Sequence, residues 1–165
     1  MRGQTGEFVQ KFLKEKQIGG KVLDVGSLDI NGTIKELFEK HGLEYAGIDM
    51  RKGPNVGLVL NAHDIKDKLD ENSFDVVCCF DTLEHDDKFW ITLENMRWVL
   101  KEGGYLLIAV PGSGCPKHDY PQDYWRFMEN GVESFFEGMT DFYIEVQKDD
   151  PSHVEFDEIY GWAKK

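Results

Sequence analysis

Two aspartates placed at the ends of apolar runs are the residues in this chain most suited to chemistry. Asp24 stands near the end of Lys21–Val25, and Asp49 ends the run from Glu44, 25 positions further on. Between them lie Gly26-Ser27-Leu28-Asp29-Ile30-Asn31-Gly32 and then a helical pattern. That distance fits strand, turn, helix and next strand. It puts a glycine turn and a carboxylate on one rim of a parallel sheet, where a nucleoside ligand can bind. The first functional expectation is therefore a cofactor site.

The rest of the chain supplies elements able to position those residues. Phe8, Val9, Phe12 and Leu13 recur at helical spacing across residues 5–17, and Gly19-Gly20 ends that helix. Thr33 to Lys40 reads as a helix with Ile34, Leu37 and Phe38 on one face and Gly42 as its stop. After the turn Gly53-Pro54-Asn55, a short third strand spans Val56 to Leu60. Phe74 to Phe80 is almost unbroken apolar sequence, as in a strand covered on both faces. Phe89 to Leu100 reads as a helix with Trp90, Leu93, Met96, Val99 and Leu100 inward. Glu102-Gly103-Gly104 closes it, and Tyr105 to Val110 is a fifth strand. Pro111 to Gln122 is a long loop, and Gly131 to Gly138 a short helix. Phe142 to Gln147 and Val154 to Trp162 follow as strands with no helix between them, hence an antiparallel edge hairpin. The alternation predicts an α/β fold: a doubly wound, mostly parallel seven-stranded sheet of the Rossmann-like kind. One domain over residues 1–165 is expected, with the helix in 1–20 packed over the cofactor side.

Composition narrows the function classes. The net charge of −12 opposes a phosphate-binding surface, so no nucleic-acid partner is expected. No apolar run approaches the roughly 20 residues of a membrane span. Met1 to Glu7 leads into an amphipathic stretch with lysines rather than a secretory signal, so the expected location is cytoplasmic. The three cysteines, Cys78, Cys79 and Cys115, form no CxxC pair. Cys78 and Cys79 are adjacent within a strand and should point to opposite faces of the core.

Six segments, in order, now carry a resemblance: Val22-Leu23-Asp24-Val25-Gly26, Gly47-Ile48-Asp49-Met50, Asn61-Ala62-His63-Asp64-Ile65, Phe74-Asp75-Val76-Val77, Leu83-Glu84-His85 and Gly103-Gly104-Tyr105-Leu106. Together they resemble the class I methyltransferases that use S-adenosyl-L-methionine, from about residue 20 to 130. The resemblance implies that Asp24, Gly26 and Ser27 lie at the methionine part of the cofactor. It implies that Asp49 accepts from both ribose hydroxyls and that Met50 packs on the adenine. Asp64 would read the adenine amino group, with Ile65 beside it, and Phe80 and Asp81 would flank the methionine moiety. One departure stands out: Leu28 and Ile30 occupy positions where that family commonly has glycine, and Asn31-Gly32 offers a positive-φ turn instead.

Methyl transfer from a sulfonium asks the protein mainly to bind and align, with a base only for an acceptor such as a hydroxyl. His85, at the rim after Glu84, and His118, in the aromatic-rich segment Lys117 to Phe127, are the candidate bases. Arg126 in the same segment offers a partner for an anionic acceptor. Cys115, His118 and Asp119 match no familiar metal spacing, so no metal is expected. Asp86-Asp87 reads as a solvated helix start, and His63 and His153 as surface residues. The leading expectation is a methyltransferase acting on a small molecule or glycan-type acceptor. Two alternatives remain: a cofactor-binding module or partner subunit without transfer activity, and an NAD-dependent oxidoreductase, which Leu28 and Asn31 disfavour by breaking Gly-x-Gly-x-x-Gly.

Overall fold

The structure is a computed structural model that describes residues 3–30, 32–119, 121–148 and 157–165. Its helices and strands are α1 (Gly3–Lys16), β1 (Gly20–Val25), α2 (Lys35–Lys40), β2 (Leu43–Asp49), β3 (Leu58–Val59), α3 (Ile65–Lys68), β4 (Phe74–Phe80), α4 (Phe89–Val99), β5 (Leu100–Pro111), α5 (Glu129–Phe135), β6 (Thr140–Lys148) and β7 (Asp157–Lys164). Single tight turns, Ala62–Asp64 and Leu83–His85, precede α3 and follow β4. The seven strands form one sheet in the order β3-β2-β1-β4-β5-β7-β6. β1 to β5 are parallel, and β7 pairs antiparallel with both β5 and β6. The order reverses between β1 and β4, and that switch point leaves a crevice at the strands' carboxyl ends.

Two apolar layers hold the sheet. One face packs on α1 and α2 through Phe8, Phe12, Val22, Phe38, Cys78, Tyr160 and Trp162. The other packs on α3, α4 and α5 through Leu23, Ile65, Cys79, Met96, Leu106, Val132 and Phe135. Cys78 and Cys79 are thus buried on opposite faces, as alternation along a strand requires. α1 caps the first layer, and its Phe8 meets Phe80 edge-on at 6.3 Å.

Some elements differ from the sequence reading. Glu102-Gly103-Gly104 does not close a helix; it runs inside β5, with Gly103 at φ +80 and the β4 pairing slipped between Phe74 and Val76. β3 shrinks to two residues. Trp90 does not point inward: it is exposed and stands edge-on to Phe89 and Trp125. Among the described residues of β7, the pairing begins at Asp157; Val154 and His153 lie outside them.

Candidate active site

A cavity of about 960 Å³ opens at the switch point. Its floor is the ends of three strands, contributing Asp24 and Val25, Ile48 and Asp49, and Phe80 and Asp81. The turn Asn61–His63 also lines the cavity, as do His85, His118 and Tyr124. The volume lies at the upper end of the usual range for small-ligand sites.

The loop after β1 is built without the usual glycines. Gly26 takes φ +84, and a Cβ there would meet the Thr82 hydroxyl at 2.1 Å. The loop is sewn to the end of β2: Gly26 and Ser27 both donate N–H bonds to the Ile48 carbonyl, at 2.9 and 3.0 Å. Asp29 N–H donates to the Pro54 carbonyl, and Leu28 fills the space a side chain at Gly53 would need. Gly32, at φ +116, donates its N–H to Asp29 Oδ1 at 2.8 Å. Asn31 lies outside the described residues.

The carboxylates have distinct environments. Burial pushes the Asp24 carboxyl up to about 6, against hydrogen bonds from Tyr45 Oη at 2.5 Å and Cys78 Sγ at 3.7 Å that favour its charge. Asp49 accepts from Arg51 N–H at 2.8 Å and stays at the cavity. Asp81 follows β4 at φ +48, a conformation that Asp tolerates better than most residues. Met50 and Ile30 stand exposed at the cavity mouth, offering apolar surface.

Of the sequence-predicted residues, Asp24, Gly26, Ser27, Asp49, Met50, Phe80, Asp81, His85 and His118 all line this one cavity. Asp64 and Ile65 do not. Asp64 sits at the junction of the turn and α3 with its side chain exposed, and Ile65 is fully buried in the core. Asn61, Ala62 and His63 line it instead, and it is the Asn61 side chain that caps the turn, accepting from His63 N–H at 2.9 Å. Arg126 is not available to an acceptor. It donates to Asp123 at 2.6 Å and to the carbonyls of Cys115, Pro116 and Trp125, and it holds the Asp123 carboxyl far below the usual range.

The sequence suggests a solvated helix start at Asp86, yet this residue ties neighbouring segments of the cavity lining together. Its carboxylate meets His63 Nε2 at 2.8 Å and accepts from Thr92 Oγ1 at 2.6 Å and Lys88 N–H at 2.8 Å. Its backbone carbonyl accepts from Trp125 Nε1 at 2.8 Å. No local spacing announces it, because two of its partners, His63 and Trp125, come from distant segments. His85 and His118 meet edge-on, their ring centroids 5.1 Å apart, with Glu84 buried behind them. The Glu84 carboxylate, 3.5 Å from its Nε2, raises the His118 imidazole, while burial raises the Glu84 carboxyl. Cys115 and Asp119 do not join His118 in a ligand set; Asp119 pairs with Lys117 at 3.0 Å.

Residues 1–140 match a family model described as a methyltransferase domain. A SAM-dependent methyltransferase from Archaeoglobus fulgidus is similar in structure, with TM-score 0.74 and 17% identity, over 97% of this chain and 94% of that one. A 1,6-didemethyltoxoflavin-N1-methyltransferase from Burkholderia thailandensis, with S-adenosylhomocysteine bound, aligns at TM-score 0.70 and 17% identity over 96% of this chain and 77% of its own. The phosphoethanolamine N-methyltransferase 2 of Haemonchus contortus, in complex with S-adenosyl-L-methionine, aligns at TM-score 0.70 and 16% identity over 99% of this chain and 52% of its own. No curated protein matches the sequence. The structural likenesses speak to the fold; the family match spans the switch point and every cavity-lining residue, and the chain belongs to the methyltransferase-domain family.

Proposed function

We propose that the chain is an S-adenosyl-L-methionine-dependent methyltransferase acting on a small-molecule or glycan-type acceptor. One observation carries the reading: strand-end carboxylates and a facing pair of histidines line a single cavity at the sheet's switch point. The cofactor, when bound, supplies a methyl group on a sulfonium, open to a single displacement. Asp49 accepts hydrogen bonds from the ribose hydroxyls, and Met50 covers the adenine with the help of the Asn61–His63 turn. Asp24, Gly26 and Ser27 hold the amino-acid end; Phe80 and Asp81 border the sulfur. Asp24, Asp49, Asp81, Asp86 and Asp87 surround the cavity with negative charge, which suits a cationic ligand. His118 and His85, which also line the cavity, receive the proton that a hydroxyl or ammonium acceptor must lose.

Calorimetry with S-adenosylhomocysteine, and separately with NAD, tests the cofactor. S-adenosylhomocysteine, the cofactor product, should bind and NAD should not; binding of NAD alone sinks the proposal. Asp49→Ala removes two charge-assisted hydrogen bonds, so affinity should fall by about 2–3 kcal/mol, or roughly 30–150-fold. Labelled-methyl transfer into a metabolite pool then separates an enzyme from a module that only holds the cofactor.

A further inference from the structure

We propose that Glu84, His85 and His118 form a binding site for one divalent transition-metal ion of the zinc type, set at the lining of the cavity. Among the described residues, these are the three whose ligand atoms converge, all within 4.8 Å of one another. Glu84 is fully buried, and neither carboxylate oxygen has a hydrogen bond. A buried carboxylate left without donors carries a heavy desolvation cost, so a positive partner is called for.

The imidazoles are turned the way metal ligands are. His85 Nδ1 lies 2.5 Å from the Gln122 carbonyl oxygen. A carbonyl only accepts, so Nδ1 carries the proton, and in the neutral ring Nε2 presents a lone pair. His118 Nδ1 lies 3.2 Å from the Pro116 carbonyl oxygen, which favours the same tautomer. The nearby Arg126 Nη2, at 3.3 Å, is committed to Asp123 at 2.6 Å. Both Nε2 atoms face Glu84 Oε1, His118 at 3.5 Å and His85 at 3.6 Å. Three electron-rich atoms thus confront one another. A proton can bridge one of these contacts, whereas a metal ion bonds all three atoms at once.

The spacing fits as well. Tetrahedral zinc holds nitrogen and oxygen ligands at about 2.0–2.2 Å, which sets them roughly 3.3–3.6 Å apart. The two carboxylate–imidazole separations already have that length. Two histidines and one carboxylate leave a coordination position open, and both rings border the cavity. The site therefore selects an acceptor with a metal-binding oxygen or nitrogen, or a water in its place. With the ion bound, the two histidines serve as ligands in place of taking the proton themselves, and the ion eases loss of the acceptor's proton.

The position relative to an acceptor rests on the methyltransferase reading; the metal site itself does not. The 165-residue chain, dialysed against EDTA, is titrated with zinc chloride by calorimetry and with cobalt(II), followed by its visible absorption. One ion should bind per chain, with a cobalt spectrum of tetrahedral type. His118→Ala and Glu84→Gln should each weaken zinc by about 100-fold or more, since even removing a group behind a ligand costs 10–100-fold. His41→Ala, exposed on the far end of α2, should leave zinc affinity unchanged. A thermal melt checks the buried Glu84 variant, and His118, being 42% exposed in its side chain, tests the site without threatening the fold. Absence of saturable binding by folded wild type, or wild-type affinity in His118→Ala, overturns the proposal. S-adenosylhomocysteine affinity on the same samples tells the two readings apart: product binding without zinc binding removes the metal site alone.

Discussion

At the residue scale, Asp24 carries a measurable signature. Its folded carboxyl sits at about 6 against an ordinary 3.8, because burial disfavours the charge. The raised value means that folding favours the protonated form. The associated stability is fully present below 3.8 and is lost as pH rises through 6. By neutral pH the ionised Asp24 costs the protein about 3 kcal/mol. Asp24→Asn keeps an acceptor for the Tyr45 hydroxyl and removes that charge. The variant without ligand should melt progressively higher than wild type as pH increases from about 4 to about 7. It should also bind S-adenosylhomocysteine more weakly, since the ligand's ammonium loses its counter-charge. Parallel melting curves across that window would show that the charge is not buried. In wild type, binding of the ammonium should depress the carboxyl again, so calorimetry near pH 6 in buffers of differing ionisation enthalpy should report proton release.

At the element scale, the loop after β1 depends on backbone closeness more than on glycine content. Gly47 in β2 shows this. A Cβ there would meet the Asn55 carbonyl oxygen at 2.2 Å and Ser27 Oγ at 2.6 Å. Gly47→Ala should therefore cost about 1–3 kcal/mol in a urea melt and reduce cofactor affinity as Ser27 is displaced. Gly131, in α5, supplies the contrast, because a methyl group there would have nothing within 4 Å. Gly131→Ala should stabilise by about 0.5–1 kcal/mol and leave affinity intact. These contacts explain what was legible in the chain. Period and turn signals located the helices other than the four-residue α3 and most strands, and Phe74 to Phe80 matched β4 residue for residue. The Asp24-to-Asn31 segment gave the site's position but not its contacts, because Gly47, Asn55 and Pro54 join it only through the fold. Asp64 stands off the cavity lining for a local reason. Asn61 caps the turn, and the positions that follow leave Asp64 exposed and Ile65 in the core. Glu84 and Asp86 gave no signal, since a carboxylate in sequence does not reveal that histidines from other segments will face it.

At the scale of the whole molecule, the cavity is bounded by segments far apart in the chain, from Asp24 to Tyr124. A ligand that spans β1, β2, β4 and the turn at Leu83–His85 bridges elements that must stay together for the sheet to keep its order. Binding to the folded state alone then adds stability by mass action. At ligand concentrations about 100 times Kd the gain is about 2.7 kcal/mol. For a domain of this size each kcal/mol moves the midpoint by about 2–4 °C, so S-adenosylhomocysteine at that excess should raise Tm by roughly 5–10 °C. NAD at equal concentration should leave it in place. Asp49→Ala should lower the shift at fixed ligand, and the shift should return as ligand is raised in proportion to the weakened Kd. A shift equal in wild type and Asp49→Ala at every concentration would mean that the nucleoside sits elsewhere on the molecule, because only a ligand gripped at the end of β2 can feel that carboxylate go.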